Sequence, residues 1–392
     1  MAAMVPISDV ISILAVLVFL CNLYAFVDIV LGVKRLRQLA DVGLRRSTSP
    51  MVSIIVPACN EEKTLEPALR SLFNLEYTPI EIIVVNDRST DKTGDVLLSL
   101  QKDYPELKIL TITDLPDGWL GKNNALYQGA KKARGDYLLF TDADILFAKT
   151  TLSRAVSLVL SEKLDHLSLI FKNIAKGFLL NAMMVDAGGG LLFLFRPWKV
   201  SDPQSKRFMG VGAFNLVKKT VYVAIGGHAS IRMHPIDDII LGKVIKQNAF
   251  KQECLTAYDF LQVHWYDSTA KMIQGLMKNI FALYNFNIAY AMIGVLTIFV
   301  LTILPLWLVF LSTGVTRGIC VLCVCLRLIS AVYGAKVTGT TLQTVPFSLL
   351  TPYINIYIIL TGMVKTIAND GIEWRGTHYS LSALKKSMSI FT

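Results

Sequence analysis

The sequence predicts an α/β fold, a doubly wound and mostly parallel sheet, carried in a chain whose flanking segments suit a membrane. Three observations lead there. Of 392 residues, 53% are hydrophobic and only 17% charged, against about a quarter charged in an ordinary soluble domain. The polar residues gather in one central stretch. Within that stretch, short β-rich runs alternate with runs of helical periodicity, the pattern of βαβ units.

Taken in order, Val10–Val27 is 18 residues without a charge, long enough for a spanning helix. No Lys or Arg precedes it and no small-residue cleavage site follows, so it reads as an uncleaved anchor. Lys34, Arg35, Arg37, Arg45 and Arg46 come next, and the positive-inside rule puts that side in the cytoplasm. Val52–Val56 and Ile80–Val85 read as buried strands, Leu107–Thr111 and Tyr137–Thr141 as two more. Thr64–Leu75, Asp91–Tyr104 and Lys122–Arg134 read as the helices between them. Phe178–Trp198 is apolar and closes on Arg196-Pro197-Trp198-Lys199. It fits either a segment in the membrane interface or a helix buried under the sheet. A helix over Thr269–Phe281 leads into a second charge-free region, with a span at about Ile288–Ser312. Gly318–Ala335 is a third candidate, interrupted by Arg327. Val337–Val364 is the last, and Pro346 and Pro352 make it a broken, re-entrant or interfacial helix. Four full spans would put the tail outside, yet Lys365, Arg375, Lys385 and Lys386 favour inside. The expectation is that one C-terminal segment does not cross fully. The implied organisation is an anchor (1–33), a basic cytoplasmic linker (34–50), a catalytic domain facing the cytoplasm (51–285), two to three membrane helices (286–368) and a cytoplasmic-type tail (369–392).

Several function classes drop out. The net charge is +10, from 39 Lys and Arg against 29 Asp and Glu. No basic run is interleaved with aromatics, so the excess belongs to membrane flanks rather than to nucleic acid. Six cysteines show no disulfide spacing, and the Cys320/Cys323 pair lies inside an apolar run, which suits a reducing compartment. There is no HExxH, no His/Cys cluster and no P-loop.

Ligands of a doubly wound sheet bind at the carboxyl ends of its strands, so those positions carry the chemistry. They read Pro57-Ala58-Cys59-Asn60-Glu61-Glu62, Asn86-Asp87-Arg88-Ser89-Thr90-Asp91 and Thr141-Asp142-Ala143-Asp144. Helix capping accounts for Ser89, Thr90 or Asp91. It does not account for Asp142 and Asp144, two carboxylates one residue apart, which as an isolated pair fit a solvated turn or a hard-cation site equally.

These runs, with Gly121-Lys122-Asn123-Asn124-Ala125-Leu126, Gly212-Ala213-Phe214, Ile225-Gly226-Gly227-His228 and Asp237-Asp238-Ile239-Ile240-Leu241-Gly242, resemble in order and spacing the family 2 glycosyltransferases over residues 50–285. The tail Gly371-Ile372-Glu373-Trp374-Arg375-Gly376-Thr377-His378-Tyr379 is similar to that of membrane-bound members that glycosylate lipids. These include the hopanoid-associated and carotenoid glycosyltransferases and, more distantly, the ceramide glucosyltransferases.

The resemblance implies a GT-A fold and a site assembled as follows. Pro57, Ala58 and Glu61 would cradle the nucleoside of a nucleotide-sugar donor, UDP-linked by expectation. Asp87 would meet the base, Lys122 would lie near the diphosphate or base, and Asp142 would face the ribose. Asp144 would hold Mn²⁺ or Mg²⁺. Asp238, with Asp237 beside it, would be the general base for an acceptor hydroxyl, giving inversion. Acids at a helix start also favour its dipole, and both roles can hold together. Gly226, Gly227, His228, Trp374, Arg375 and Tyr379 are the acceptor-side candidates. Arg88 and Asn86 depart from the family pattern, Asp237 replaces its usual Glu, and Thr377 stands where relatives often have Arg. A QxxRW motif is absent, since Gln262-Val263-His264-Trp265 is one residue short, which favours a single transfer. The implied enzyme moves one sugar from a nucleotide to a hydroxyl of a membrane lipid. The alternatives are a polyprenyl-phosphate sugar synthase, a polysaccharide synthase that translocates its product, and a silent nucleotide-binding membrane protein.

Overall fold

The computed structural model describes residues 7–44 and 49–388. Arg45 and Arg46, two of the expected flanking cations, lie outside the described residues. The chain divides into two compact units that do not follow linear order. One comprises Lys34–Ile174, Phe195–Trp265 and Glu373–Thr392; the other comprises Met1–Val33, Ala175–Leu194 and Tyr266–Ile372.

The first unit is a mixed α/β layer structure. Its strands are β1 (Val52–Ala58), β2 (Ile80–Asp87), β3 (Lys108–Ile112), β4 (Tyr137–Phe140), β5 (Ile145–Phe147), β6 (His166–Ile170), β7 (Lys172–Asn173), β8 (Asn215–Lys218), β9 (Gln252–Thr256) and β10 (Leu261–Val263). Seven of them form one sheet in the order β3-β2-β1-β4-β8-β6-β9, and β5, β10 and β7 form a second. Strands β1 to β4 run parallel, as do β6 and β9, whereas β8 is antiparallel to both of its neighbours. The β-branched run Val52–Val56 is buried throughout, which marks a central strand covered on both faces. Period-two alternation sorts its side chains. Ile54, Val56 and Val84 pack with Leu65 and Leu69 on one face. Ile55, Ile83 and Val85 pack with Ala125 and Leu126 of helix Gly121–Lys132 on the other.

A buried polar network ties the antiparallel half of the sheet together. His166 Nε2 meets Asn215 Oδ1 at 2.5 Å, and its Nδ1 meets Gln252 Nε2 at 2.7 Å. Gln252 also donates to the Gly242 carbonyl and accepts from Met209 N–H, each at 3.0 Å. With Gln252 donating, Nδ1 is the acceptor and Nε2 carries the proton, a tautomer assigned from the network. Burial pushes the His166 pKa down to about 4, so the ring is neutral at pH 7 and every polar atom of the trio is used.

The second unit is helical and apolar. Among the described residues, four helical stretches are long and apolar enough to cross a membrane: Asp9–Arg35, Phe178–Lys199, Ile288–Leu311 and Gly314–Thr338. Leu342–Leu349 and Thr351–Ala368 form a pair bent by 56°, a fifth if counted as one span. Pro346 and Pro352 lie at this bend, and they are the residues that predict it. Helix Phe178–Phe195 packs among the apolar helices: Leu180, Met183 and Met184 lie against Met272, Met277 and Ile358. The reason is its composition, apolar on all sides rather than along one stripe.

Two polar devices make this unit self-consistent. Pro305 has no N–H to give to the Leu301 carbonyl, and the helix loosens to a π turn over Phe299–Ile303. Asn22 Nδ2 donates to that carbonyl at 2.9 Å. Arg327, the charge that interrupted an apolar run, is held through Nε and Nη2. Its Nη2 reaches Asp186 Oδ2 and Thr351 Oγ1 at 2.9 Å each, and the Ser348 carbonyl at 2.6 Å. Thr351 Oγ1 donates to the same Asp186 oxygen at 2.5 Å. An ionisable pair among apolar helices is tolerable only when satisfied in this way.

Candidate active site

The parallel run β1, β2 and β4 brings its three carboxyl ends to one edge of the sheet. Antiparallel β8 begins at that same edge, since Asn215 pairs with Phe140. The loop before β8 therefore meets the loop after β4. Asp142 N–H donates to the Gly212 carbonyl at 3.1 Å, and Gly212 N–H donates to Asp238 Oδ2 at 2.7 Å. A Cβ on Gly212 would lie 2.6 Å from Asp142 Oδ2 and 3.3 Å from Asp238 Oδ2. No other residue lets the two carboxylates flank the loop this closely.

Lys122 comes from the first turn of helix Gly121–Lys132. Its Nζ lies 2.8 Å from Asp142 Oδ1 and 3.4 Å from Asp237 Oδ1. Asp237 and Asp238 open helix Asp237–Gln247, where the dipole favours acids. These four side chains, with Gly212, Phe140 and His228, line one small cavity. Burial works against the Lys122 charge, and Asp142, Asp237 and Asp238 outweigh it, so its pKa is raised. Burial raises Asp237 and Asp238 as well, with mutual repulsion and Asp142 adding to it and Lys122 opposing it. Three carboxylates thus share one ammonium.

Asp144 is half-buried one turn of chain away. Burial, then Asp142 and Glu61, push its pKa up to about 7. Among the described residues no group of three His, Cys, Asp or Glu could enclose a metal ion. A cation at Asp144 would therefore take one or two protein oxygens and the rest from a ligand, the habit of Mg²⁺ and Mn²⁺ at phosphates.

The loops after β1 and β2 are stapled to one another. Glu61 N–H donates to Thr93 Oγ1 at 2.8 Å and Thr90 N–H to Asn60 Oδ1 at 2.8 Å. Pro57 is half-buried and Ala58 buried at the end of β1. Asp87 is buried and held bidentately by Arg88, Nε to Oδ1 at 2.8 Å and Nη2 to Oδ2 at 3.0 Å. That pairing raises the Arg88 pKa and fixes Asp87 as an acceptor.

Of the acceptor-side candidates, His228 lies in the same cavity as Asp237 and Asp238, preceded by Gly226 and Gly227 at positive φ. Its Nδ1 is 2.9 Å from the Tyr222 hydroxyl and its ring stands edge-on to Phe140. Burial pushes its pKa down to about 3, so it is a neutral wall. Trp374, Arg375 and Tyr379 belong to the tail, and the last two reach elsewhere. Arg375 Nη2 meets Glu61 Oε1 at 2.6 Å, and Gly121 N–H donates to the Tyr379 hydroxyl at 3.1 Å. Sequence reasoning missed two contributors. Arg88 read as a departure rather than a partner of Asp87. The His166-Asn215-Gln252 network, which reaches the Asp238 carbonyl through Asn215 Nδ2 at 3.4 Å, joins residues too far apart in sequence to suggest one another.

Residues 53–239 match the family model described as Glycosyl transferase family 2. Over 232 residues the chain is 28% identical to the 4,4'-diaponeurosporenoate glycosyltransferase of Staphylococcus aureus strain USA300, covering 57% of this chain and 58% of that protein. The counterpart in strain MRSA252 is 28% identical over 229 residues, with the same coverage. The chain thus spans less than two thirds of the length of these curated relatives. Among solved structures, the mannosyltransferase PcManGT from Pyrobaculum calidifontis, in complex with GDP-Man and Mn²⁺, aligns over 92% of this chain and 99% of its own, with TM-score 0.58 and 16% identity. That likeness is one of fold. Residues 53–239 of this chain form a family 2 glycosyltransferase domain, on the mixed sheet of the GT-A fold.

Proposed function

We propose that the chain is a membrane-bound, inverting, metal-dependent glycosyltransferase that moves one hexose from a UDP-linked donor to a hydroxyl of a membrane lipid. The observation that carries this reading is the strand-end cluster, in which Lys122, Asp142, Asp237 and Asp238 share one cavity beside the Gly212 amide. In this reading Asp238 takes the acceptor proton as that oxygen bonds to the anomeric carbon, while the bond from that carbon to the diphosphate breaks on the opposite face. The raised pKa of the buried Asp237–Asp238 pair suits a base working near neutral pH. Pro57, Ala58 and Glu61 border the nucleoside, Asp87 accepts from the base, and Asp142 faces the ribose, with Lys122 beside the diphosphate. A divalent cation at Asp144 would neutralise charge on the leaving diphosphate. The like charges around Asp144 support that assignment.

A lipid acceptor is supported by the four helices apolar enough to cross a membrane and by the relative named for 4,4'-diaponeurosporenoate. The cytoplasmic side for the sheet unit is supported by Lys34 and Arg35 in the last turn of the first helix and Arg37 just beyond it. The test is donor consumption by the full chain in native lipids, with UDP- and GDP-sugars and Mn²⁺ or Mg²⁺. Metal-dependent UDP release with a lipid heavier by one hexose is the expected result. GDP release would replace the donor, a ladder of sugars would replace single transfer, and no release from any donor would remove the reading.

A further inference from the structure

The tail residues Arg375, Thr377 and Tyr379 all end on the loops that carry the donor-side residues. Arg375 Nη2 bonds Glu61 of the first loop at 2.6 Å. Thr377 Oγ1 accepts from Arg88 Nη1 of the second at 2.9 Å. Tyr379, itself buried, accepts the first amide of the Lys122 helix, Gly121 N–H, at 3.1 Å. The Thr377 and Tyr379 contacts converge on Asp87. Arg88 spends Nε and Nη2 on the two Asp87 oxygens, so Thr377 takes the remaining nitrogen and every arm of the guanidinium is anchored. Arg88 stands at φ 54°, in the left-handed region, which turns its side chain back over the residue before it. Gly121 closes the other side: a Cβ there would lie 2.5 Å from both Arg88 Nη2 and Asp87 Oδ2.

We propose that the C-terminal segment Arg375–Tyr379 is a wall of the donor site, in which Thr377 and Tyr379 are positioning residues that act on the base through Arg88 and Asp87. This rests on the donor reading above and departs from the acceptor-side role expected for the tail. Each Asp87 oxygen accepts one N–H from Arg88 and keeps a free lone pair, so the carboxylate is held in one orientation with acceptor capacity to spare. Such a group selects a base edge that presents an N–H, as uracil and guanine do and cytosine does not at the same ring position. Loosening Arg88 therefore weakens nucleotide affinity and base choice, and leaves the carboxylates that do the chemistry in place.

The experiment is titration of UDP, GDP and CDP with Mn²⁺ into the full chain in detergent, for wild type, Thr377→Val, Thr377→Ser and Tyr379→Phe, with donor turnover in parallel. Loss of one hydrogen bond to a charged group predicts a UDP affinity about tenfold weaker in Thr377→Val. Thr377→Ser restores it, the donor KM follows affinity, and kcat stays within about twofold of wild type. The nucleotide-free melting midpoint of each variant shows whether folding has changed, and rescue by Ser separates positioning from packing. Unchanged UDP affinity in Thr377→Val and Tyr379→Phe, with turnover lost, would return the tail to the acceptor side and overturn the proposal. A wild-type chain that binds none of the nucleotides removes the donor reading itself, and the wall with it.

Discussion

Replacing Asp238 by Asn separates chemistry from architecture at one atom. Oδ2 of Asp238 accepts the Gly212 N–H at 2.7 Å. Asn is isosteric, and its amide oxygen can take that same bond, so the loop between β4 and β8 stays anchored. The –NH₂ then occupies the position of the other carboxylate oxygen and cannot receive a proton. General base catalysis is worth about 10²–10⁴ in rate, or about 2.7–5.4 kcal/mol of barrier. Folding moves the other way. A carboxylate whose pKa is raised in the folded state contributes stability below its unfolded value, and that contribution is lost as pH rises through the folded value. Once ionised, Asp238 is therefore a cost, and the neutral amide removes a repulsion with Asp237 and Asp142. The expected variant melts at or above the wild-type midpoint and retains UDP affinity within about threefold, while kcat falls at least about a hundredfold. Wild-type turnover should also decline as pH falls through the raised pKa of Asp238, with a limb the variant lacks. Purified wild type and Asp238→Asn, compared by UDP release and thermal melting in one buffer series, provide the test. Turnover above about a tenth of wild type would refute a base at Asp238 and favour an acceptor already ionised, such as a lipid phosphate.

Three further outcomes follow from the same geometry. Lys122→Met leaves Asp142, Asp237 and Asp238 without their cation. The expected loss is about 2 kcal/mol at pH 8, less than for a fully buried pair because the Asp142 side chain is 37% exposed. Part of it should return as pH falls and the carboxylates protonate, so a midpoint equal to wild type at pH 8 would count against the cluster. Asp144→Asn should abolish the restoration of UDP release by Mn²⁺ after chelation, while the melting midpoint holds or rises because a half-buried acid among like charges is neutralised; undiminished restoration would move the metal elsewhere. Arg327→Met strands Asp186 among apolar helices and should cost about 3 kcal/mol in detergent, with the Arg327→Met, Asp186→Asn double variant recovering most of it; equal melting of single and double variants would show that the pair is not coupled.

The strands and helices from Val52 to Phe140 were legible because each obeys a local rule: period-two burial, a 3.6-residue stripe, a strand end with polar residues. Asp87, Asp142 and Asp144 lie in short runs at strand ends and were legible for the same reason, whereas Asp237 and Asp238 open a helix and stood out only through the order of motifs. What escaped was whatever depends on topology. Nothing in Asn215 announces an antiparallel strand between β4 and β6, yet that strand places Gly212 between Asp142 and Asp238. Arg88 looked like a departure from pattern because its partner Thr377 lies 289 residues away. Helix Phe178–Phe195 left two readings open, since a helix apolar on every side has no face from which to infer a neighbour.

The sheet unit is written in three instalments, Lys34–Ile174, Phe195–Trp265 and Glu373–Thr392, with apolar helices between them. Synthesis runs from the N-terminus, at about 5–20 residues per second. Strands β1 to β4 therefore exist long before Arg375, Thr377 and Tyr379 emerge, and the apolar helices from Ile288 to Ala368 are made in the interval. The loops bearing Glu61 and Arg88 wait through that interval without their last partners. A nascent chain thus lacks the contacts of Glu61, Arg88 and Gly121 with the tail until Tyr379 has been translated. A product stopped short of Tyr379 lacks these contacts, whatever the state of its sheet.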